Sequence, residues 1–336
     1  MDSPAASSRV SGPDKGEVHL LDHQLLFVTG KGGVGKTTVA SALALLGSAI
    51  GKRTLLAEID GKGEIWRLFS TESTGGKIHE LGTNLFGLTV DTEVALEEYL
   101  RIFAKVPLLG RIGPLARIFD FVATAAPGVR EILTIGKIAW EAKLADPEAP
   151  LYPKWDLIVV DGSASGHIVG QLTAHRTIHD MVQVGLIREQ TDWMAQILED
   201  PTRTAVVVVT TPEEMPVVET LELQERLRQE TRTKLAAIVV NRVLPELFTA
   251  SEEVVFEKIQ EEPYRSTIAD YIGLEPTPLF AAARLTSAMR KSASANLDKL
   301  RSEAQAPMVY MPYVFASTYG LRTIRLLADS LAQELS

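Results

Sequence analysis

The sequence predicts an α/β domain with a mostly parallel, doubly wound sheet and an inserted α-helical subdomain. Three observations carry that expectation. Short runs of Val, Ile and Leu are continuous rather than alternating, as strands buried on both faces require. Helix-compatible stretches lie between these runs, so strand and helix alternate along the chain. A glycine-rich turn joins the first run to the first helical stretch. The 336 residues are 46% apolar and 23% charged, a balance that supports one large domain with a sizeable core.

The elements follow in order. Residues 1–22 are rich in Ser, Pro, Ala and Gly, lack an apolar signal core and read as a mobile tail before a domain over 23–336. Strands are expected at Leu25–Thr29, Thr54–Ile59, Phe86–Val90, Leu157–Asp161, Ala205–Thr211, Ala236–Asn241 and Met308–Pro312. A helix is expected over Thr37–Ile50, stopped by Gly51, and another over Leu321–Leu335, where apolar residues recur at helical spacing. The intervals 96–148, 167–200 and 245–306 exceed what a crossover helix needs and carry breakers such as Pro107, Pro114, Pro127 and Pro263. They are assigned to the helical subdomain.

Composition excludes several functions. Lys plus Arg number 34 and Asp plus Glu 43, so the formal net charge is −9, which argues against a grip on nucleic acid through bulk charge. The absence of cysteine removes disulfides, thiolate metal sites and cysteine nucleophiles. No segment reaches the roughly 18 uninterrupted apolar residues of a membrane span, so a cytoplasmic chain without stable membrane insertion is expected.

Residues Gly30–Thr37, GKGGVGKT, fit the phosphate-loop pattern G-x-x-x-x-G-K-[ST] between a predicted strand and a predicted helix. Phosphate chemistry explains the spacing. Gly32, Gly33 and Gly35 let backbone N–H groups turn inward around phosphate oxygens, and Val34 adds its own N–H. The helix beginning near Lys36 adds its positive dipole end. Lys36 reaches the terminal phosphates and the Thr37 hydroxyl ligates Mg²⁺, while Gly30 and Thr38 complete the set expected to hold ATP.

Acidic residues extend the reading. Asp161 ends the run LIVVD, where a strand meets a loop, and is the candidate to hold the Mg²⁺ shell through water; its plainer reading is a residue opening the next helix. Asp60, at the end of AEID, is the candidate to orient an attacking water; its plainer reading is a turn Asp before Gly61. Glu58 lies two residues earlier and faces the same side of its strand. His175 and His179 stand at i, i+4 spacing, yet without Cys or an accompanying Glu pattern no zinc is expected.

Lys31 is a second lysine within the loop, and the phosphate cradle does not need it. The pattern K-G-G-x-G-K-T resembles the deviant phosphate-loop ATPases. That resemblance implies that Lys31 crosses a face-to-face dimer to the partner's nucleotide, acting with Lys36 and Asp60 in catalysis. Further matches resemble the ArsA/tail-anchored-protein targeting branch. EIDGKGEIWRLF aligns with that branch's first switch, with Asp60 and Phe69 on its Asp and Phe, although Gly61-Lys62-Gly63 replaces its Pro-Ala-His. NLFGLTVDTEVALEEY and APGVREILTIGKI are similar to its strand-to-helix stretch and to the start of its helical subdomain. DGSASGHIVGQL shares Asp161, Gly166 and His167 with its second switch, and TTPEEMPVVET matches its PE…ET segment. Asn241 and Pro312 fall where the branch recognises adenine. An Asn amide offers the donor and acceptor that adenine's N6 and N7 require.

The resemblance implies a Mg²⁺-dependent dimeric switch ATPase, a homodimer or a heterodimer with a paralogous ATPase. Its implied client is a hydrophobic protein, such as a tail-anchored membrane protein. Leu108, Leu109, Ile112, Leu115, Ile118, Phe119 and Phe121 would line an apolar groove or form subdomain core. The missing cysteines rule out the branch's zinc-clipped dimer and its metalloid site. Two alternatives stay open: a MinD/ParA-like positioning ATPase, and a nucleotide-binding partner subunit with little activity of its own.

Overall fold

A computed structural model describes residues 19–59, 63–72, 75–103, 129–146, 149–181, 186–316 and 318–336. Strands β1 (Leu25–Gly30), β2 (Thr54–Ile59), β3 (His79–Gly82), β4 (Leu85–Val90), β5 (Leu157–Ala164), β6 (Thr204–Thr210), β7 (Lys234–Val243) and β8 (Met308–Pro312) form one eight-stranded sheet, in the order β3-β4-β2-β5-β1-β6-β7-β8. Every pairing is parallel except β3 with β4. The α/β, mostly parallel reading therefore holds. The apolar runs mark the strands to within a few residues. β3 was not expected: its sequence HELG has no apolar run and is half exposed at an edge, so only its pairing with β4 makes it a strand.

Alternate residues of the central strands feed opposite layers. Leu26 and Val28 of β1 face α1 (Lys36–Ala49) and α11 (Leu321–Leu335), packing with Val39, Leu43, Ile324 and Leu327. Leu25 and Phe27 face the other side. There they join Ile135 and Ile138 of α4 (Val129–Lys143), Ile168 and Leu172 of α5 (Ser165–Met181), Ile197 of α6 (Leu186–Leu198) and Leu223 of α7 (Glu214–Glu230). Each fully buried Leu, Ile or Phe contributes about 1.5–3 kcal/mol from burial alone.

The remaining helices are α2 (Glu64–Phe69), α3 (Thr92–Phe103), α8 (Ala250–Lys258), α9 (Tyr264–Ile272) and α10 (Thr277–Glu303). Asp91 starts α3 by accepting from the N–H groups of Glu93 and Val94, at 2.8 and 3.0 Å. α4, α5 and α6 lie against the sheet itself and share its core cluster. α10 packs its C-terminal turns, through Leu297 and Leu300, on Val217 of α7 and Ile238 of β7. α9 buries none of its side chains. The groove candidates between Leu108 and Phe121 lie outside the described residues. At the N-terminal side Leu20 is already buried in the core. Among the described residues no helix is long and apolar enough to cross a membrane.

Candidate functional site

β1 lies between β5 and β6, the point at which successive connections leave toward opposite edges of the sheet. In open α/β sheets the crevice beyond the carboxyl ends of the strands at such a point receives ligands. The loop from Gly30 to Lys36 occupies that place, between β1 and α1. Packing accounts for two of its glycines. A Cβ on Gly30 would stand 2.1 Å from the Val209 carbonyl oxygen. Gly35 has φ +94°, and a Cβ there would stand 2.4 Å from Asn241 Nδ2. Gly32 and Gly33, at the crest of the loop, face open space.

Asn241, buried at the end of β7, donates from Nδ2 to the Val34 carbonyl at 2.9 Å and accepts at Oδ1 from the Arg242 N–H at 2.9 Å. It holds the loop from below. An amide has two N–H donors and two lone pairs, so one of each remains. Asn241 and Pro312 come together in one small cleft, with Thr38, Arg242, Val314, Tyr319 and Leu327.

Beside the loop, Asp161 pairs in register with Glu58 of β2 and Val28 of β1. β5 continues past Asp161 to Ala164, so this residue sits within the strand rather than at its end. Asp161 is 6% exposed, and its Oδ1 has no hydrogen-bond partner. Burial pushes its carboxyl up to about 6; Glu58 and Glu64 add to that shift, while the Thr37 hydroxyl and Lys36 oppose it. Lys36 reaches back to donate to the Lys31 carbonyl at 3.3 Å. Burial holds its ammonium below the usual lysine range, against the pull of Asp161 and Glu64. The Thr37 hydroxyl donates to Glu64 Oε2 at 3.2 Å. Glu58 is buried and accepts from the Glu64 N–H at 2.9 Å and from Thr89 Oγ1 at 3.2 Å.

Lys31 is ion-paired within its own chain to Glu219 of α7, whose other oxygen takes the Ser165 hydroxyl at 3.5 Å. Asp60 lies outside the described residues, as do Gly61 and Lys62. His167 is exposed on α5. His175 is buried against Glu199 at 2.9 Å and His179 meets Asp192 at 3.2 Å, so each histidine has a carboxylate of its own. Among the described residues no group of three His, Cys, Asp or Glu side chains is placed to hold a metal. Sequence reasoning passed over Glu64 and Glu219. Glu219 stood inside the PE…ET match and Glu64 inside the first-switch match EIDGKGEIWRLF, but neither was given a role there.

These residues fit a nucleotide with a divalent cation. No side chain caps the N-terminus of α1, so its first-turn N–H groups are left to a ligand. The orphaned Asp161 oxygen has the chemistry of a cation-shell acceptor.

The fold and the loop define a phosphate-loop nucleotide hydrolase of the α/β class. Residues 23–190 and 181–272 match the family described as Anion-transporting ATPase, and the chain belongs to that ArsA-type family. It is accordingly a nucleotide-binding ATPase. The chain is 31% identical over 334 residues to ATPase BagA of Mycobacterium tuberculosis, covering 93% of each. It is 27% identical over 292 residues to an arsenical pump-driving ATPase of Escherichia coli, covering 76% of this chain and 46% of that protein. Identity to ATPase GET3C of Arabidopsis thaliana is 24% over 265 residues, 65% of this chain and 66% of that protein.

Proposed function

We propose that this chain is a Mg²⁺-dependent dimeric switch ATPase that couples its nucleotide state to the binding of a partner or client protein. The observation that carries this reading is the convergence, at one sheet switch point, of an uncapped helix N-terminus, the Lys36 ammonium and the unpartnered Asp161 oxygen. The loop N–H groups from Gly30 to Thr38 bind phosphate, and Lys36 adds a positive charge that burial makes more effective. Thr37 and Asp161 hold Mg²⁺, which when bound neutralises charge on the terminal phosphates. Asn241 gives its remaining donor and acceptor to adenine, with Pro312 closing the cleft. Asp60 orients the attacking water. Lys31 leaves Glu219 to reach the nucleotide of the facing protomer.

A hydrophobic protein is the client class this reading favours. Apolar side chains left exposed along α9 and α10, including Tyr271, Leu279, Leu285 and Met289, support it. The facing protomer is a second copy or a paralogous ATPase.

The test measures ATP affinity and turnover together. Lys36→Ala should abolish tight ATP binding. Asp60→Asn should keep ATP binding and lower turnover about 100-fold, the scale of losing a positioned proton acceptor. Full turnover in Asp60→Asn would remove that residue from the mechanism, and undiminished ATP affinity in Lys36→Ala would remove the site.

A further inference from the structure

Glu64 stands in the first turn of α2, within the segment that resembles the first switch, and its carboxylate accepts a hydrogen bond from the Thr37 hydroxyl at 3.2 Å. A carboxylate beside a phosphate-binding loop is unfavourable by simple charge, because it repels the polyphosphate that Lys36 attracts. Its placement is fixed, however. The Glu64 N–H is held by the buried Glu58 carboxylate at 2.9 Å, and Glu58 is held in turn by Thr89, which also accepts from Trp66 Nε1 at 2.7 Å. Strands β2 and β4 and helix α2 thus keep a negative charge on the Thr37 hydroxyl that the loop offers to a cation.

A hydroxyl has one proton and two lone pairs. When Glu64 takes the proton, both lone pairs of Thr37 Oγ1 are free to face a cation, and the oxygen carries more negative charge. The same hydroxyl also acts on the Asp161 carboxyl, but one proton serves one acceptor at a time. With Asp161 committed to the cation's shell, Glu64 is the acceptor that remains. Asp161 gives independent support for a ligand at this point, since it is 6% exposed and its Oδ1 is unpartnered.

We infer that Glu64 is a positioning residue for the divalent cation, orienting the Thr37 hydroxyl so that its oxygen faces the ion and tying cation binding to α2. The inference rests on the proposed reading of the site and goes beyond it.

The test uses the full chain with Mn²⁺ and ADP as probes. Bound Mn²⁺ is read from the loss of its free-ion paramagnetic resonance signal, and ADP affinity is measured separately in chelator. Glu64→Ala should weaken Mn²⁺ binding to the ADP complex about tenfold, the scale on which partners of metal ligands act. Glu64→Gln keeps an acceptor and should fall between Ala and wild type. ADP affinity without metal should be equal or tighter in both variants, because a charge that repels phosphate is gone. Retained ADP binding also certifies that the variants fold.

Wild-type Mn²⁺ affinity in Glu64→Ala, alongside weakened binding in Asp161→Asn and Thr37→Ala, would overturn the role of Glu64 alone. Equal loss of metal-free ADP affinity and of Mn²⁺ affinity would reduce Glu64 to a structural group and overturn it too. If Glu64→Gln were as weak as Glu64→Ala, charge and not the hydrogen bond would be at work, and the positioning role would fall. Wild-type protein that takes up no Mn²⁺ with ADP would overturn the cation site itself, and the inference with it.

Discussion

Asp161 has its carboxyl raised by burial from the ordinary 3.8 to about 6. Between those values the folded chain keeps a proton that the unfolded chain has lost, so the stability this group contributes is full below about pH 4 and is lost as pH rises through about 6. A difference of about two units corresponds to about 3 kcal/mol. Asp161→Asn should therefore raise the Tm of the ligand-free protein at pH 7 and leave it unchanged near pH 4, while abolishing Mg²⁺ binding. Parallel Tm curves for the two proteins across that range would show that Asp161 is not the titrating group. Lys31 poses a different question at the same scale. Its ion pair with Glu219 is partly buried and competes with any reach across a dimer. Such pairs are worth up to about 1 kcal/mol, so Glu219→Gln should raise ATP-dependent association about threefold, read by analytical ultracentrifugation.

Among the elements, α4 is fastened by a buried charge. Glu141 accepts from Lys137 at 3.1 Å and from Lys154 and Trp155 Nε1 at 3.0 Å each. Burial and pairing oppose one another here, and pairing wins: the Glu141 carboxyl lies below its usual range and the Lys137 ammonium above its own. Removing one partner of such a set strands the others, so Glu141→Ala should cost about 3–5 kcal/mol in urea unfolding. A cost under 1 kcal/mol would mean that water reaches the cluster freely. At the edge of the sheet, β3 illustrates what local sequence leaves open. HELG has neither alternation nor an apolar run, and it becomes a strand because β4 offers it an antiparallel edge beside Asn84, whose φ is +56°. By contrast TLLAEI and MVYMP give strands with the expected bounds: the first is buried on both faces, and the second, at the other sheet edge, is an apolar run with alternate residues buried.

For the whole molecule, the doubly wound sheet explains why the site is where it is. It brings the loop after β1, Asp161 of β5 and Glu58 of β2 to the same carboxyl ends, although 103 positions separate Glu58 from Asp161 in the chain. With no cysteine to clip two protomers, the proposed dimer relies on packing and on nucleotide. Lys31→Ala should then remove ATP-dependent association while leaving ATP bound to the monomer, and an unchanged association constant would exclude a role for Lys31 across the interface.

The sequence by itself determined the α/β class, seven of the eight strands among the described residues, the phosphate loop and the family, because burial and phosphate binding each impose a fixed local pattern of residues. Tertiary structure alone decided the partners. That Asn241 holds up Val34, that Lys31 is held by Glu219, and that Glu64 takes the Thr37 proton all depend on contacts between segments far apart in the chain. Such contacts arise only when the sheet has closed its layers around them, and no local periodicity encodes which charged side chain a distant strand or helix will bring to face another.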